Sequence, residues 1–499
     1  MDLQLPSFPI LSSIILLILV VLKSVLRPSK LPPGPWKLPL IGNLHQLAQD
    51  LPHRALQKLA KKHGPLMHLH FGEVPTLVVT SPEYAKEVMK THDITFASRP
   101  LLNAMKVMTY DHTDIAFAPY GEYWRQLRKI CTIELLSVKR VQSFRPIREQ
   151  ETSNVIEWIG SNAGSSINLT ERLYTTIYAL VSKVAFGRTC GRGEHEEFIE
   201  YSKASQNRAS GFNIVDVFPS LKLVHWIMGE GKKTERLHKQ GDMLLGNIIN
   251  QHVKKPVTGK GDDEHEDLVD VLLKFHEEGD FPLTINNIKS VIQDIFVAGG
   301  ETSATTIDWA MREMMKNPRV MKKAQAEVRQ VFDSRGRVDE TGVPELKYLK
   351  LVLKETLRLH PPLPFLLPRI NWERCEINGY EIAANTKVIV NVWAIGRDPN
   401  YWTEAERFYP ERFLEKSADY KGTSFEYTPF GAGRRLCPGM SFGLANVEFP
   451  LSQLLYHFDW NLTGGMKPED LNMIESFDVT MRAKDDLHLV PTPYRSLSG

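Results

Sequence analysis

The sequence predicts a mainly α-helical protein with a minor β-sheet, of class α+β. Residues from about 120 to 360 follow a mostly helical apolar pattern, whereas short apolar runs with Gly and Pro in residues 39–80 are typical of strands. Residues 361–440 are rich in Pro, Gly and aromatic side chains, and we expect them to be mostly loop with short strands. No alternation of strand and helix supports a doubly wound sheet.

The amino-acid composition indicates a globular protein and gives no support for a nucleic-acid-binding or disulfide-rich one. The chain has 499 residues, of which 42% are hydrophobic and 24% charged, as in a globular protein with a large core. Its 61 Lys and Arg nearly balance 59 Asp and Glu, so the net charge of +2 gives no electrostatic reason to expect nucleic-acid binding. The four cysteines are far apart, which argues against a disulfide framework and favours a reducing compartment.

The N-terminus is predicted to anchor the protein in a membrane. The run from Leu3 to Leu22 contains no charged residue and would span roughly 30 Å as a helix. Lys23, Arg27 and Lys30 follow, so we expect the N-terminus in the lumen and the bulk of the chain in the cytosol. A cleaved signal peptide is the alternative, but no small-residue cleavage site follows the apolar run.

Three regions follow from this interpretation. Residues 1–30 form the membrane anchor and its basic flank, residues 31–38 a stiff proline-rich hinge, and residues 39–499 the globular body. Within the body, Thr76–Thr80 and Lys387–Val392 are predicted strands.

One helix is expected to cross the whole body. Thr284 fits an N-cap, Asn317-Pro318 fits a stop, and apolar residues fall at helical spacing between them. About 33 residues would span roughly 50 Å. Gly299 and Gly300 lie near the middle, where each glycine costs about 1 kcal/mol relative to alanine. Close helix packing and a local widening that leaves room for a ligand are both open as explanations.

The segment Pro429–Gly439 carries the strongest chemical signal. Cys437 lies in a turn directly before an apolar helix that is predicted to run to about His457, and a helix start favours negative charge and lowers the pKa of a thiol. Gly433 and Gly439 would allow close approach of a flat ring system. The segment fails a dinucleotide-binding fingerprint at Leu436, and the chain has neither a Walker A lysine nor an HExxH motif.

This segment resembles the cysteine loop of the cytochrome P-450 superfamily, whose pattern FxxGxRxCxG is matched at Phe430, Gly433, Arg435, Cys437 and Gly439. Residues 355–358 resemble the family's ExxR helix, residues 408–413 its PERF motif, and residues 298–302 its oxygen-binding groove. The resemblance covers essentially the whole chain. It is closest to plant microsomal enzymes of the seventy-one family, D subfamily, in which many members oxidise terpenoids.

The resemblance implies a role for individual residues. Cys437 would be the axial ligand of the haem iron, Thr302 and Glu301 would relay protons, and a buried network would brace the cysteine loop through Glu355, Arg358 and Arg412. The residues expected to contact the haem or its propionates are Trp124, Arg128, Ala298, Gly299, Arg369, Phe430, Gly433, Arg435 and Gly439. The substrate pocket is expected to include Phe212, Ala298, Phe365, Leu366 and Phe477.

The implied function is a haem-thiolate monooxygenase of the endoplasmic reticulum membrane that carries haem b and uses O2 and NADPH. The chain has no flavin or nicotinamide motif, so the electrons would come from NADPH–cytochrome reductase, with cytochrome b5 as a further candidate partner. The expected substrate is an apolar molecule of terpenoid size. The alternatives are an alkaloid or phenolic oxidase, a haem-thiolate isomerase or dehydratase that needs no external electrons, and a haem-binding sensor. Retention of Thr302 and Glu301 argues against the isomerase.

Overall fold

The architecture is helical with small sheets, which confirms the predicted class. A computed structural model describes residues 30–48, 50–187, 192–206, 213–221, 229–254, 266–278, 281, 283–477 and 479–495. The α-helices are α1 (Leu44–Leu47), α2 (Pro52–His63), α3 (Pro82–Lys86), α4 (Asn103–Met108), α5 (Glu122–Ile130), α6 (Val138–Ser143), α7 (Arg145–Ser161), α8 (Leu169–Phe186), α9 (Arg192–Gln206), α10 (Ile214–Val217), α11 (Glu230–Lys254), α12 (Leu268–Glu278), α13 (Ile285–Lys316), α14 (Pro318–Arg335), α15 (Lys347–Leu359), α16 (Val392–Ile395), α17 (Arg412–Glu415) and α18 (Met440–His457).

The strands lie beside the helical body. They are β1 (Leu66–Phe71), β2 (Val74–Val79), β3 (Ile167–Asn168), β4 (Arg369–Ile370), β5 (Cys375–Ile377), β6 (Tyr380–Ile382), β7 (Lys387–Val390), β8 (Phe458–Leu462), β9 (Glu475–Phe477), β10 (Met481–Ala483) and β11 (His488–Pro493). A four-stranded sheet has the order β1-β2-β7-β4, in which β2 and β7 are parallel. Both predicted strands, near Thr76 and Lys387, are therefore confirmed.

Not all of residues 39–80 is extended, and the prediction of strands there is wrong for α2. Pro52 occupies the first turn of this helix, where its missing N–H costs nothing. Ala55 and Leu56 are buried on the face that packs against the sheet. Short apolar runs of this kind do not distinguish a strand from a buried helical segment.

The proline-rich segment 31–38 lies against β1. The amide of His68 donates to the carbonyl oxygen of Pro33 (3.0 Å), and a Cβ on Gly34 would lie 2.3 Å from the carbonyl oxygen of His68. The amide of Glu381 donates to the carbonyl oxygen of Lys30 (2.7 Å). The predicted anchor, except Lys30, lies outside the described residues. Within the described part of the chain, no helix is long and apolar enough to cross a bilayer.

The long helix α13 begins and ends where the sequence predicts. A reciprocal capping box joins Thr284 and Asn287 at its start, and Pro318 opens α14 directly after its end. A Cβ on Gly300 would lie 2.5 Å from Cε1 of Tyr178 on α8, whereas a Cβ on Gly299 would lie 3.1 Å from Cε1 of Phe442. Close packing of α13 against α8 therefore explains Gly300.

Replacing Gly300 by alanine should lower the free energy of unfolding by about 1–3 kcal/mol, because the new methyl group forces the buried ring of Tyr178 out of its place. Gly299→Ala is the matched control: its methyl group would lie 3.1 Å from Cε1 of Phe442 and 3.7 Å from Cγ1 of Val181, so it overlaps less than the one at Gly300. Alanine also favours a helix by about 1 kcal/mol. Denaturant titration of both haem-loaded variants measures the difference. Equal stability of the two variants would contradict this reading of Gly300.

The buried carboxylate of Glu475 joins β9 to α2, which lies more than 400 residues earlier in the chain. Glu475 of β9 accepts hydrogen bonds from His53 (2.9 Å) and Arg54 (2.7 Å) of α2 and from Trp393 (3.0 Å) of α16. Burial alone would raise the pKa of Glu475, but the hydrogen bond from His53 and the charge of Arg397 hold it well below its usual range. The hairpin of β9 and β10 is thereby tied to the N-terminal part of the fold.

Candidate active site

The cysteine loop closes on itself before α18 begins. The amide of Cys437 donates to the carbonyl oxygen of Phe430 (3.0 Å), and Gly431 between them has φ of +75°. Residues Gly433–Arg435 form a turn of 3-10 helix. Phe430, Cys437 and Gly439 border one cavity, which has a volume of about 310 Å³.

Gly433 has a packing role, and its contact with a flat ligand stays a prediction. Its φ is +68°, and a Cβ would lie 2.1 Å from the carbonyl oxygen of Met89 and 2.7 Å from Oδ1 of Asp93. Gly433 does not border the cavity. Glycine is required here because the π-helix Glu87–Thr91, which contains Met89, packs against the loop.

The environment of the Cys437 thiol also differs from the prediction. Burial raises the pKa of Cys437, and the Gly439 amide and the charge of Arg128 lower it without outweighing the burial. The sequence argument considered the helix start but not desolvation. A thiolate at this position needs a cationic partner, and a bound metal ion is such a partner.

Arginines gather at one edge of the cavity: Arg99, Arg128, Arg369 and Arg435. Burial and the charge of Arg369 lower the pKa of Arg435 to about 9, and burial also lowers the pKa of Arg369 to about 10. Arg435 donates to the carbonyl oxygens of Ala97 (2.6 Å) and Ala118 (2.5 Å) rather than to a carboxylate. Buried like charges held this way fit a ligand that carries carboxylates.

Trp124 adds a ring surface to this edge. Its indole N–H donates to the carbonyl oxygen of Ile115 (3.0 Å), and the guanidinium of Arg435 lies over its ring at 4.1 Å from the centroid. The predicted contact between Trp124 and a propionate would have to replace the hydrogen bond to Ile115.

The face of α13 toward the cavity includes Ala298, Gly299, Glu301 and Thr302. The hydroxyl of Thr302 donates to the carbonyl oxygen of Ala298 (2.7 Å), one turn earlier. The structure thus brings the predicted oxygen-binding residues to the same cavity as Cys437.

Both carboxylate oxygens of Glu301 already have hydrogen-bond partners within the protein. Its carboxylate accepts hydrogen bonds from Tyr178 (3.0 Å) and Thr480 (2.9 Å) and forms a two-pronged ion pair with Arg482 of β10. Glu301 is buried, although it borders the cavity. Glu301 can therefore take up or release a proton only while this ion pair is loosened.

Glu355, Arg358 and Arg412 lie together behind the cysteine loop. Arg358 donates through Nε and Nη2 to both carboxylate oxygens of Glu355 (2.7 and 2.8 Å), and Arg412 donates to Oε1 of Glu355 (2.9 Å). The side chains of Glu355 and Arg358 are completely buried. An aromatic layer with Trp402 and Tyr427 lies between this network and Phe430.

The predicted pocket residues have different positions. Leu366 borders the cavity, whereas Phe365 points away from it and packs near the ring of His53 (6.4 Å between centroids). Phe365 instead belongs to the apolar cluster that contains Val78 and Ile389 of the sheet, and Leu366 beside it has a positive φ of 53°. Phe212 and the side chain of Phe477 lie outside the described residues, although Val479 and Thr480 nearby border the cavity.

Sequence reasoning missed Arg99, Arg482 and the carboxyl pair Asp114 and Asp294. Arg482 is 181 residues from its partner Glu301, so no local spacing could reveal the pair. Arg99 donates to the carbonyl oxygens of Ala116, 17 residues later, and of Leu367, 268 residues later. A buried arginine in a loop has no sequence signature.

These donors fit haem b. A thiol faces the cavity for the iron, buried arginines lie at one edge for two propionates, and the walls between them are mainly apolar.

Comparison with known proteins agrees with this fit. The cytochrome P-450 family model matches residues 32–490. Premnaspirodiene oxygenase of Hyoscyamus muticus is 53% identical over 473 residues, which cover 94% of either chain. Tabersonine 16-hydroxylase 1 of Catharanthus roseus is 53% identical over 475 residues, which cover 94% of this chain and 93% of the relative. Plant members of the seventy-one D subfamily are also among the matches, as predicted.

The fold is shared with solved structures. A zebra fish cytochrome P-450 with abiraterone superposes with a TM-score of 0.75 at 24% identity, covering 89% of this chain and 99% of that one. Members of the family are monooxygenases that bind haem b, use O2 and NADPH, and take electrons from redox partners such as a reductase. The match over residues 32–490 and the identity above 50% show that this chain belongs to the cytochrome P-450 family.

Proposed function

We propose that this monooxygenase inserts one oxygen atom of O2 into a neutral, apolar molecule of terpenoid size. The proposal depends on the carboxylates that line the cavity, because neither of them is available to a charged substrate. Asp294 and Glu301 are the carboxylates that border the cavity within the described residues, and both are occupied. Asp294 accepts the amides of Ile115 and Ala116, and Glu301 pairs with Arg482. A substrate ammonium group would find no free anionic partner, and burying it unpaired costs several kcal/mol.

The remaining lining supports an apolar substrate. Side chains of Met105, Phe117, Val297, Leu363, Leu367 and Val479 border the cavity. Such walls with few polar groups are typical of sites for apolar ligands. The relatives act, by their names, on premnaspirodiene and on tabersonine, a terpenoid and an alkaloid. The alkaloid oxidase is therefore the second candidate.

Product analysis with the reductase and NADPH tests the substrate class. Premnaspirodiene, other neutral sesquiterpenes and neutral diterpenes are compared with tabersonine. We expect NADPH-dependent products from neutral terpenoids only. Oxidation of tabersonine without any terpenoid product would overturn the substrate class, and products that form without NADPH would favour the isomerase or dehydratase.

The proposed roles of the residues follow from their places. The Cys437 thiolate holds the haem iron, and Arg369, Arg435 and Arg128 hold the propionates. Haem b bound in this way supplies dioxygen binding and one-electron chemistry. The hydroxyl of Thr302 leaves the carbonyl oxygen of Ala298 and carries a proton toward the reacting oxygen. Glu301 takes up a proton from solvent when its ion pair with Arg482 loosens, and passes that proton to Thr302.

Replacing Thr302 by alanine should reduce the product formed per NADPH oxidised by about 10²-fold, the lower end of a general-acid effect. Thr302→Ser should restore most of the coupling, because it keeps a hydroxyl at the same place. The matched control is Thr306→Ala, since the Thr306 hydroxyl makes the same back-bond, to the carbonyl oxygen of Thr302 (2.7 Å), one turn further along. Tight coupling in Thr302→Ala would remove Thr302 from the proton path.

The location and partners are part of the same proposal. Residues 1–30 would anchor the enzyme in the endoplasmic reticulum membrane, residues 31–38 would form the connection, and residues 39–499 would form the haem-binding domain in the cytosol. The apolar run from Leu3 to Leu22 with its basic flank supports this arrangement. NADPH–cytochrome reductase of the same membrane would supply the electrons, and cytochrome b5 is a further candidate donor.

A further inference from the structure

Two buried amide side chains border the cavity. Gln206 is the last residue of α9, and Gln293 belongs to the first half of α13. Both residues line the cavity, although their side chains are more than nine-tenths buried (7% and 5% exposed). A buried amide loses its contact with bulk water at the oxygen and at the NH2 group, so each of these groups needs a partner. The partners of the two amides therefore indicate what the cavity holds.

The neighbours of Gln206 fix the orientation of its amide. The hydroxyl of Tyr178 donates its single proton to Oε2 of Glu301 (3.0 Å), because an ionised carboxylate only accepts hydrogen bonds. The oxygen of Tyr178 is then an acceptor for Gln206, whose Nε2 donates to it (3.4 Å). The other amide atom of Gln206, Oε1, has no hydrogen-bond partner within the described part of the chain.

Gln293 presents the opposite kind of group. The hydroxyl of Tyr201 donates to Oε1 of Gln293 (2.8 Å), and Nε2 of Gln293 has no hydrogen-bond partner among the residues that the structure describes. Tyr201 itself is tightly packed, because a Cβ on Gly241 of α11 would lie 2.2 Å from its Cζ. The cavity wall thus contains one amide oxygen that can accept a hydrogen bond and one amide NH2 group that can donate one.

The two amides lie along one side of the cavity. Gln293, Val297 and Glu301 follow one another at intervals of four residues, so they share a face of α13, and all three border the cavity. Gln206 lies near the Glu301 end of this row, since both contact the hydroxyl of Tyr178. Gln293 lies at the other end, roughly 12 Å from Glu301 along the helix axis. A substrate beside this row meets an apolar side chain between two polar positions.

We propose that Gln206 and Gln293 each offer a binding position for a hydroxyl group of the substrate, so that the preferred substrate is a terpenoid alcohol rather than a hydrocarbon. A hydroxyl can donate to Oε1 of Gln206 or accept from Nε2 of Gln293, whereas a carbonyl or ether oxygen can only accept. A few polar groups in an apolar wall fix the orientation of a ligand. The inference rests on the substrate class proposed above and narrows it.

The same chemistry indicates the place of the reaction in a sequence. A terpenoid alcohol must come from a reaction that introduces oxygen before this enzyme acts. That reaction is either an earlier monooxygenation or the capture of water by a terpene cation. The enzyme then inserts a further oxygen atom, and its product carries two oxygen substituents.

Binding of matched ligands to the haem-loaded full chain tests the inference. The probes are cedrene with cedrol and abietadiene with abietadienol, which are two hydrocarbons and the corresponding alcohols. Equilibrium dialysis gives the dissociation constants for wild type, Gln206→Met and Gln293→Met. The control is Gln325→Met, which replaces an equally buried glutamine of α14 (7% exposed) that donates to the carbonyl oxygen of Phe458 (3.0 Å).

Wild type and Gln325→Met should bind at least one alcohol about 10-fold more tightly than its hydrocarbon, which is the effect of one hydrogen bond to a buried polar group. This ratio should fall below about twofold in Gln206→Met, in Gln293→Met or in both, because methionine has no amide. Partition of the ligands into detergent cancels when variants are compared. Gln206→Met keeps the hydrogen bond between Tyr178 and Glu301, which covers the case that Gln293→Met fails to fold.

Equal ratios in wild type and in both cavity variants would overturn the inference, even where the terpenoids bind tightly. A failure of the proposed substrate class has a different signature. In that case none of the four terpenoids binds to wild type, and the inference falls together with the class.

Discussion

Cys437→Ala should abolish the long-wavelength absorption band that a thiolate-ligated haem shows when reduced under carbon monoxide. The loop holds Cys437 at this position through the hydrogen bond from its amide to the carbonyl oxygen of Phe430, and the side chain borders the cavity. Product formation should fall to background in the same preparation. The measurement is a difference spectrum of wild type and variant at equal protein concentration.

Cys131 offers a matched control for this experiment. Cys131 is completely buried and borders the same cavity, and burial raises the pKa of its thiol to about 12. Cys131→Ala should keep the band, because Cys131 lies on the wall formed after α5 rather than in the cysteine loop. A band that survives Cys437→Ala, or that disappears in a folded, haem-loaded Cys131→Ala, would show that Cys437 is not the ligand.

Glu355→Gln should lower the free energy of unfolding by about 3–5 kcal/mol and sharply reduce the haem content. The substitution leaves the guanidinium groups of Arg358 and Arg412 buried without their carboxylate, and an uncompensated buried charge carries a penalty of that size. The aromatic layer that contains Tyr427 should then lose its support under the cysteine loop. Urea unfolding and the haem-to-protein ratio measure the two effects.

An exposed pair of the same chemistry provides the control. Glu404 and Arg407 have the same spacing of three residues and a comparable N–O distance of 2.8 Å, but their side chains are 60% and 55% exposed. Glu404→Gln should therefore change the free energy of unfolding by less than about 1 kcal/mol. Similar losses in Glu355→Gln and Glu404→Gln would contradict the buried network.

The sequence predicts best where a signal is local. The bounds of α13 follow from Thr284, Asn317 and the apolar spacing between them, and the start of α18 follows from the cysteine loop. These features depend on residues a few positions apart, for which capping and periodicity are sufficient. The motif residues Cys437 and Thr302 border one cavity. The family resemblance predicts this, because it extends over the whole chain.

The surroundings of a residue and the direction of its side chain are what the sequence does not reveal. The pKa of Cys437 depends on desolvation by residues distant in sequence, and Gly433 is constrained by Met89, more than 300 positions earlier in the chain. The direction of Phe365 depends on an apolar cluster with Val78 and Ile389, which are distant in sequence. The sequence also does not indicate the partner of Glu301, because Arg482 belongs to the distant hairpin of β9 and β10.

The carboxylate of Glu475 has a consequence for how the chain is made. Its partner His53 precedes it by 422 residues, so α2 leaves the ribosome long before the strand that completes its buried contacts. At the usual pace of synthesis this interval lasts roughly 20 to 80 seconds. During that time α2 lacks Glu475, the carboxylate to which His53 and Arg54 donate. The hairpin of β1 and β2 also lacks β7 and β4 until residues 369–390 have been made. A nascent chain that stops shortly before residue 475 should be a substrate for quality control, although most of its helices are already present.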